Sequence, residues 1–294
     1  MTDHELIVWL CKFQEQALKK ILSQLLRHYY DKVTVEDDFL LATGTIPIGV
    51  VAHLDTVFQF PPEQFFYDAD KEVFWSPEGA GFDDRAGVYA IIKLLQKGLR
   101  PTVIFTCGEE KGGIGAKALA ARTDLKPNLD FLIELDRQGA NEAVYYQCGN
   151  TDFMKYIESF GFDYEIGTFS DISILCPAWK MCGVNLSVGY VNEHTYGEHL
   201  YFTHLCDTIK KVAAILQTTE YPMFEWKEQF NCDICGASCP EFELFPIKYK
   251  RFACPDCIAH RVGWCDKCQE AYPLFKGAAR NICPDCKRGE SNGA

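Results

Sequence analysis

Residues 79–87 read GAGFDDRAG and place two carboxylates, Asp83 and Asp84, side by side among small neighbours. Four other places carry a histidine or a carboxylate directly after an apolar stretch; they are His53 with Asp55, Glu109 with Glu110, Asp136, and His194. Carboxylates brought together repel one another unless a cation lies between them. With two imidazoles they form a donor set suited to a pair of divalent ions, namely zinc, with cobalt or manganese as alternatives.

The spacing within two of these motifs indicates separate roles for neighbouring residues. In His53-Leu-Asp55 the period of a strand puts both polar side chains on one side, so that Asp55 can orient the imidazole. Glu109 and Glu110 point in different directions, and one can bind metal while the other moves a proton. Taken singly, each residue has a more ordinary interpretation, such as an Asp that caps a helix. The combination favours the metal site.

The elements that would position these residues alternate between strands and helices. Apolar spacing predicts one long helix over residues 4–30 and a later helix over residues 86–98. Strands are predicted at 32–43, 46–55, 101–107, 130–135, 143–148 and 184–190, and a hairpin at 65–75. This pattern predicts an α/β fold with a mostly parallel, mixed sheet sandwiched between helices. Ligands bind beyond the carboxyl ends of such strands, which is where the polar residues stand.

Composition divides the chain into two expected domains, residues 1–228 and 229–294. Of the 15 cysteines, nine follow residue 231, where nine Lys and Arg nearly balance eight Asp and Glu. Residues 1–230 carry 20 Lys and Arg against 33 Asp and Glu. A first domain this acidic argues against nucleic acid as a partner. Since neither an export signal nor a membrane-length apolar run is recognisable, we expect a cytoplasmic protein without a membrane partner.

The order and spacing of the motifs over about residues 45–215 resemble the co-catalytic dizinc exopeptidases. This superfamily includes zinc aminopeptidases, peptidase T, glutamate carboxypeptidases and amino-acid deacylases. The matching series is His-x-Asp, Gly-x-Asp-Asp-Arg-Ala-Gly, Gly-Glu-Glu, an Asp after a strand, and a His followed four residues later by Glu198. The resemblance implies the phosphorylase/hydrolase-like zinc peptidase fold.

The resemblance also implies a role for each matching residue. Asp83 would bridge two zinc ions, of which one is completed by His53 and Asp136 and the other by Glu110 and His194. Glu109 would be the general base for a water held between the ions, and Asp55 would support His53. The peptide bond between Asp83 and Asp84 is expected to be cis, as is common in this superfamily.

A compact variant is expected, because only 57 residues separate Asp136 from His194 and leave no room for the extra domain of many relatives. The leading hypothesis is an aminopeptidase that cleaves an N-terminal amino acid from short peptides. The alternatives are an amidohydrolase, deacylase or carboxypeptidase that acts on an N-acylated amino acid or related metabolite, and a scaffold that recruits a partner. The presence of Glu109 argues against a scaffold, which has no need of a base.

Substrate-binding candidates follow from the same resemblance. Ser170 and Asp171 lie where relatives carry a Ser-Asp or Thr-Asp pair that lines the pocket, and Asp171 would hold the α-ammonium group. An N-cap role for Asp171 is an equal alternative. Arg137 either binds a substrate carboxylate or pairs with Glu134.

The second expected domain contains four Cys-x-x-Cys pairs, which are typical of structural zinc; they are Cys232 with Cys235, Cys254 with Cys257, Cys265 with Cys268, and Cys283 with Cys286. Four pairs supply two sites of four cysteines each. The intervening lengths of 18, 7 and 14 residues favour sequential zinc ribbons, and a cross-braced pairing stays open. So short a segment needs the metal in place of a core, and we expect it to contact a protein partner or to control access of the substrate.

We predict that metal analysis of the purified chain finds about four ions, two of which resist mild chelation because they lie in thiolate sites. Elemental analysis before and after dialysis against a weak chelator measures both numbers. A chain that holds only the resistant ions, and loses them when residues 229–294 are deleted, would contradict the dinuclear site.

Overall fold

The structure is a computed structural model that describes residues 1–227, 229–232, 234–235, 237–240, 244–248, 251–274 and 281–288. The chain divides into two compact units, Met1–Trp226 and Lys227–Ala294, here called the body and the tail. The second unit begins at Lys227, close to residue 229, where composition places the start of the second domain.

The body, all of which is described, consists of alternating helices and strands. Its helices are α1 (Asp3–Cys11), α2 (Glu15–Tyr29), α3 (Phe82–Gln96), α4 (Ile114–Ala121), α5 (Thr151–Glu158), α6 (Ile172–Trp179) and α7 (Phe202–Gln217). Its strands are β1 (Val33–Val35), β2 (Phe39–Ala42), β3 (Ile46–His53), β4 (Phe66–Asp68), β5 (Val73–Trp75), β6 (Pro101–Thr106), β7 (Phe131–Arg137), β8 (Glu142–Val144), β9 (Asp163–Glu165), β10 (Cys182–Ser187), β11 (Tyr190–Val191) and β12 (His199–Tyr201).

Eight of these strands form one mixed sheet in the order β1-β2-β6-β3-β7-β10-β8-β9. The four central strands, β6, β3, β7 and β10, are parallel. Antiparallel pairing joins β2 to β6 on one side and β8 to β10 on the other. A second, antiparallel sheet has the order β11-β12-β5-β4 and contains the predicted hairpin.

Side chains of the central strands alternate between two hydrophobic clusters, as the period of two requires. In β3, Val50 belongs to the cluster that contains residues of α1, α2, α3, α5 and α7, whereas its neighbour Val51 belongs to the cluster that contains residues of α4 and α6. Ile133 and Leu132 divide in the same way in β7. Both faces of the sheet are therefore covered by helices, which confirms the predicted fold class.

The single opening helix expected over residues 4–30 is wrong, because the chain breaks between α1 and α2. A capping box between Thr2 and Glu5 starts α1. At the break the carbonyl oxygen of Phe13 accepts a hydrogen bond from Nη2 of Arg85 at 3.1 Å. Arg85 is buried and also donates to the carbonyl oxygens of Leu54 and Asp55. The break supplies an acceptor that a continuous helix would have used internally.

The chain between Asp136 and His194 also differs in detail from the expectation. The strand predicted at 143–148 ends at Val144, since Tyr146 and Gln147 have positive φ angles of 46° and 65°. Helix α6, which was anticipated only through the N-cap alternative for Asp171, contains Pro177. The segment nevertheless stays within the main sheet through β8, β9 and β10.

The tail consists, in its described residues, of three hairpins and two short helices. The hairpin strands are β13 (Gln229–Asn231) with β14 (Ser238–Pro240), β15 (Phe245–Ile247) with β16 (Arg251–Ala253), and β17 (Val262–Trp264) with β18 (Ala271–Pro273). The helices are α8 (Pro255–Arg261) and α9 (Pro284–Arg288). None of the described helices of the chain has the length and apolar character that crossing a membrane requires.

We predict that Gly87→Ala destabilises the body by about 1–3 kcal/mol, the usual result of overpacking. A Cβ at Gly87 would overlap the carbonyl oxygen of Leu135 in β7 and the Asp84 carboxylate. Thermal unfolding measures the effect. Gly197→Ala is the control, since its Cβ would meet nothing nearer than 3.5 Å. Equal melting temperatures for both variants would contradict this account of the contact between α3 and β7.

Candidate metal centres

The fold brings all five sequence-predicted places together at the carboxyl-terminal edge of the central strands. His53 ends β3, Asp136 lies near the end of β7, and Glu109 and Glu110 follow β6. Asp83 lies in the irregular first turn of α3. His194 belongs to the loop between β11 and β12 and has a positive φ of 62°. The convergence follows from the parallel arrangement, in which equivalent strand ends meet.

The two carboxylate oxygens of Asp83 face two different imidazoles. Oδ1 lies 2.9 Å from Nε2 of His53, and Oδ2 lies 3.1 Å from Nε2 of His194. Nε2 of His53 is also 3.3 Å from Oδ1 of Asp136, and Nε2 of His194 is 3.0 Å from Oε1 of Glu110. Two clusters, each with one imidazole and two carboxylates, thus share Asp83.

The donors of these clusters fit divalent metal ions. In each cluster the ligand atoms lie within 4.8 Å of one another, and His53 also lies within that distance of Glu109 and Glu110. Oε1 of Glu110 is buried and faces the imidazole of His194, and a carboxylate in this position needs a cation to offset its charge. Imidazole and carboxylate donors suit zinc, cobalt and manganese.

Asp55 connects the imidazole to the Glu109-Glu110 pair. Its Oδ1 lies 3.3 Å from Nδ1 of His53 and accepts a hydrogen bond from the backbone N–H of Glu109 at 3.0 Å. Its Oδ2 accepts from the backbone N–H of Glu110 at 3.2 Å. Asp55 is buried, so these contacts fix the side chain of His53 relative to the loop after β6.

The peptide bond between Asp83 and Asp84 is cis, which confirms the prediction. Asp84 is fully buried and does not take part in either cluster. Its Oδ1 accepts a hydrogen bond from the backbone N–H of Gly87, and its Oδ2 accepts from that of His53. The second aspartate of the pair therefore ties the start of α3 to the end of β3.

Glu198 is a positioning residue to which no role was assigned from the sequence. Its carboxylate accepts hydrogen bonds from the backbone N–H groups of Gly81 at 2.6 Å and Asp83 at 2.9 Å. Gly81 has a positive φ of 68°, which glycine adopts without strain. The position of Glu198, four residues after His194, was the only signal, and spacing alone does not reveal which backbone groups a carboxylate will bind.

The three substrate-binding candidates occupy different environments. Ser170 donates to Glu134 and accepts from Nδ2 of Asn185, so its hydroxyl is engaged within the protein. Asp171 precedes α6 without a side-chain capping bond, and its Oδ2 accepts from Thr106. Glu134 accepts from Ser170 and from the backbone N–H groups of Asp171 and Ile172, and the described residues show no pairing with Arg137.

Burial and neighbouring charges shift several pKa values in the metal-free chain. Burial raises the pKa of Glu109 to about 8 and that of Asp136 to about 7, with further contributions from nearby carboxylates. Hydrogen bonding to Asp83 raises the pKa of His194 to about 9. Burial opposes ionisation of Asp83, but its hydrogen bonds with His194 and His53 outweigh this and lower its pKa.

The tail cysteines form two further clusters in sequential order. Cys232, Cys235, Cys254 and Cys257 have their sulfur atoms within 4.8 Å of one another, and so do Cys265, Cys268, Cys283 and Cys286. The described cysteines form no disulfide. Four converging sulfur atoms are the donor set of a structural zinc site.

The fold of the body is that of solved aminopeptidases. Aminopeptidase PepT from Bacillus cereus superposes with a TM-score of 0.57 at 15% identity, over 74% of this chain and 98% of that one. A tripeptidase from Staphylococcus aureus gives 0.60 at 16% identity, over 74% and 98%. The TET aminopeptidase of a marine sediment thaumarchaeon gives 0.59 at 13%, over 74% and 97%. No protein-family model and no curated protein sequence matches the chain.

We predict that metal uptake by the body releases protons at pH 7 and that apparent affinity rises as the pH is raised toward 9. A metal ion binds neutral imidazole, whereas His194, with its pKa of about 9, keeps its proton at pH 7. Asp136, with a pKa of about 7, adds to the effect. Calorimetric titration with Zn²⁺ in buffers of different ionisation enthalpy measures the released protons.

The matched controls for this titration are His194→Gln and His28→Gln. His194→Gln removes the protonated imidazole and should reduce the number of protons released on Zn²⁺ binding. His28→Gln changes an exposed histidine outside the clusters and should leave that number unchanged. Heats that do not depend on the buffer would contradict the assignment.

Proposed function

We propose that this chain is a metal-dependent aminopeptidase that hydrolyses the first peptide bond of short peptides. The observation that carries the proposal is the Asp83 carboxylate, whose two oxygens each face the imidazole of a separate cluster. A carboxylate shared in this way suits two neighbouring ions and is not explained by helix capping. The fold shared with aminopeptidase PepT and the tripeptidase supports a peptide as substrate.

The proposed ligands are divided between the two clusters. His53 and Asp136 would hold one ion and Glu110 and His194 the other, and Asp83 belongs to both clusters. When bound, such a pair of ions supplies Lewis acidity, which acidifies a water molecule and polarises a carbonyl group. Zinc is the proposed metal, with cobalt or manganese as alternatives.

Glu109 is the proposed general base. It lies close to His53 and Glu110 but is not needed to complete either cluster that contains Asp83. Two cations beside it would lower its pKa from the metal-free value of about 8, toward a range where it can accept and return a proton near neutral pH. Its carboxylate would take a proton from the attacking water and deliver it to the leaving nitrogen.

Recognition of the peptide is assigned to Asp171 and Arg137. Oδ1 of Asp171 is buried without a hydrogen-bond partner, and it is the proposed acceptor for the α-ammonium group. Ser170 holds Glu134 in place rather than contacting the substrate. Nε of Arg137 is likewise buried without a partner, and its guanidinium is the proposed site for a substrate carboxylate.

Arg137 also supports a second candidate function. An unpartnered guanidinium group next to the ligand Asp136 suits the carboxylate of an N-acylated amino acid as well as that of a dipeptide. The same ions and the same base would hydrolyse either amide. The two functions therefore differ in whether the substrate amine is free.

We predict that the zinc-loaded chain hydrolyses dipeptides and tripeptides with a free amine, and that Glu109→Gln lowers kcat by about 100-fold or more while metal content is unchanged. Liquid chromatography of the products, with N-acetylated forms of the same peptides in parallel, measures both rates. Glu158→Gln is the matched control, because it makes the same chemical change at an exposed position of α5.

Faster hydrolysis of the acetylated peptides would replace the aminopeptidase assignment with the deacylase. Full activity of Glu109→Gln would remove Glu109 from the mechanism. Absence of hydrolysis of both substrate classes by a chain loaded with two body metals would contradict a hydrolase altogether.

A further inference from the structure

We infer that Lys248 is a positioning residue for the second cysteine cluster, Cys265, Cys268, Cys283 and Cys286, although it comes from the chain between the cysteine pairs of the first. Through this lysine the two proposed zinc sites of the tail would form one electrostatic unit. The inference concerns the tail alone and does not depend on the proposed peptidase activity.

The side chain of Lys248 contacts the second cysteine cluster although its backbone lies between the cysteine pairs of the first. Lys248 follows β15 and so lies between Cys235 and Cys254 in the sequence. Its Nζ nevertheless donates to Sγ of Cys283 at 3.3 Å and to Sγ of Cys268 at 3.5 Å. Its backbone N–H donates to the carbonyl oxygen of Ala271 in β18 at 2.7 Å, which fixes the direction of approach.

The surroundings of this ammonium group are specific rather than accidental. Only 7% of the Lys248 side chain is exposed, and Nζ is 3.4 Å from Oε2 of Glu270 and 3.3 Å from Oδ2 of Asp285. Both carboxylates lie close to second-cluster cysteines in the sequence, because Glu270 follows Cys268 by two residues and Asp285 directly precedes Cys286. A lysine has three N–H donors, and here they are distributed among thiolate and carboxylate acceptors.

Four thiolates around a divalent ion leave a net negative charge. An N–H···S bond from a cation stabilises thiolates and thereby the bound ion, as partners just outside metal ligands generally do. Backbone N–H groups serve both clusters, since that of Cys254 donates to Sγ of Cys232 at 3.3 Å and that of Cys283 donates to Cys265. Among the contacts of the described residues, the lysine is an additional donor to the second cluster. Loss of the lysine charge should therefore weaken the second zinc site much more than the first.

The test is Lys248→Met in the full chain, with Lys267→Met as the matched control. Lys267 is an exposed lysine inside the Cys265-to-Cys268 turn, so the control removes the same charge close to the same site. The zinc-loaded proteins are exposed to a chelator and an alkylating reagent, and mass spectrometry of proteolytic fragments follows modification of each cysteine with time. The six body cysteines serve as the internal reference.

Lys248→Met is expected to speed alkylation of Cys265, Cys268, Cys283 and Cys286 by about 10–100-fold, the usual effect of losing a partner outside the ligand shell. The first-cluster cysteines should change far less, and Lys267→Met should resemble the parent protein. Equal acceleration by both variants, or no acceleration by Lys248→Met, would overturn the inference.

A third variant covers the case in which Lys248→Met releases zinc from both clusters. Lys248→Arg keeps the cation and its N–H donors, so it should restore slow alkylation of the second cluster. If Lys248→Arg releases zinc from both clusters as fast as Lys248→Met does, the charge is not what holds the site, and the inference is again overturned.

Discussion

Mutual repulsion among buried carboxylates is the constraint on which the body of this protein depends. Asp83 shares one cluster with Asp136 and the other with Glu110. Burial raises the pKa values of Asp84 and Glu109, and both lie close enough for the charges of neighbouring carboxylates to raise these values further. In the metal-free chain the two histidines must act as the cations, which explains the raised pKa of His194 and the lowered pKa of Asp83. Divalent ions would replace those protons and relieve the same repulsion.

The scaffold meets this constraint with backbone groups as well as charges. Asp84 accepts from His53 and Gly87, Glu198 accepts from Gly81 and Asp83, and Asp55 accepts from the loop after β6. In these contacts a carboxylate outside the clusters is stabilised by N–H donors, and a ligand-bearing segment is fixed in return. The carboxyl groups of the site are thus divided between the two clusters and the acceptors that hold the backbone around them.

Much of this arrangement could be predicted from the sequence, because the polar residues stand at the ends of strongly apolar strands. The parallel core and the convergence of His53, Asp83 and Asp136 were accessible in this way, and the hairpin β4–β5 was predicted from its own strand and turn pattern. The cis bond was expected only from the resemblance to the dizinc exopeptidases. The break between α1 and α2 was not, since it depends on an acceptor for Arg85, a residue far away in sequence. The roles of Glu198 and Lys248 were hidden for the same reason, because each contact joins distant parts of the chain.

The loop that carries His194 has a consequence for the order in which the protein can mature on the ribosome. His53, Asp83, Glu110 and Asp136 precede it in the sequence, but the backbone of Gly81 and Asp83 is held by Glu198. Domains fold as units during synthesis, with the N-terminal part emerging first. A nascent chain that stops just before residue 198 contains the residues of both clusters, including His194. It lacks Glu198, whose carboxylate holds the backbone of Gly81 and Asp83 in place. The two clusters that share Asp83 can therefore reach their full geometry only after residue 198 has left the exit tunnel.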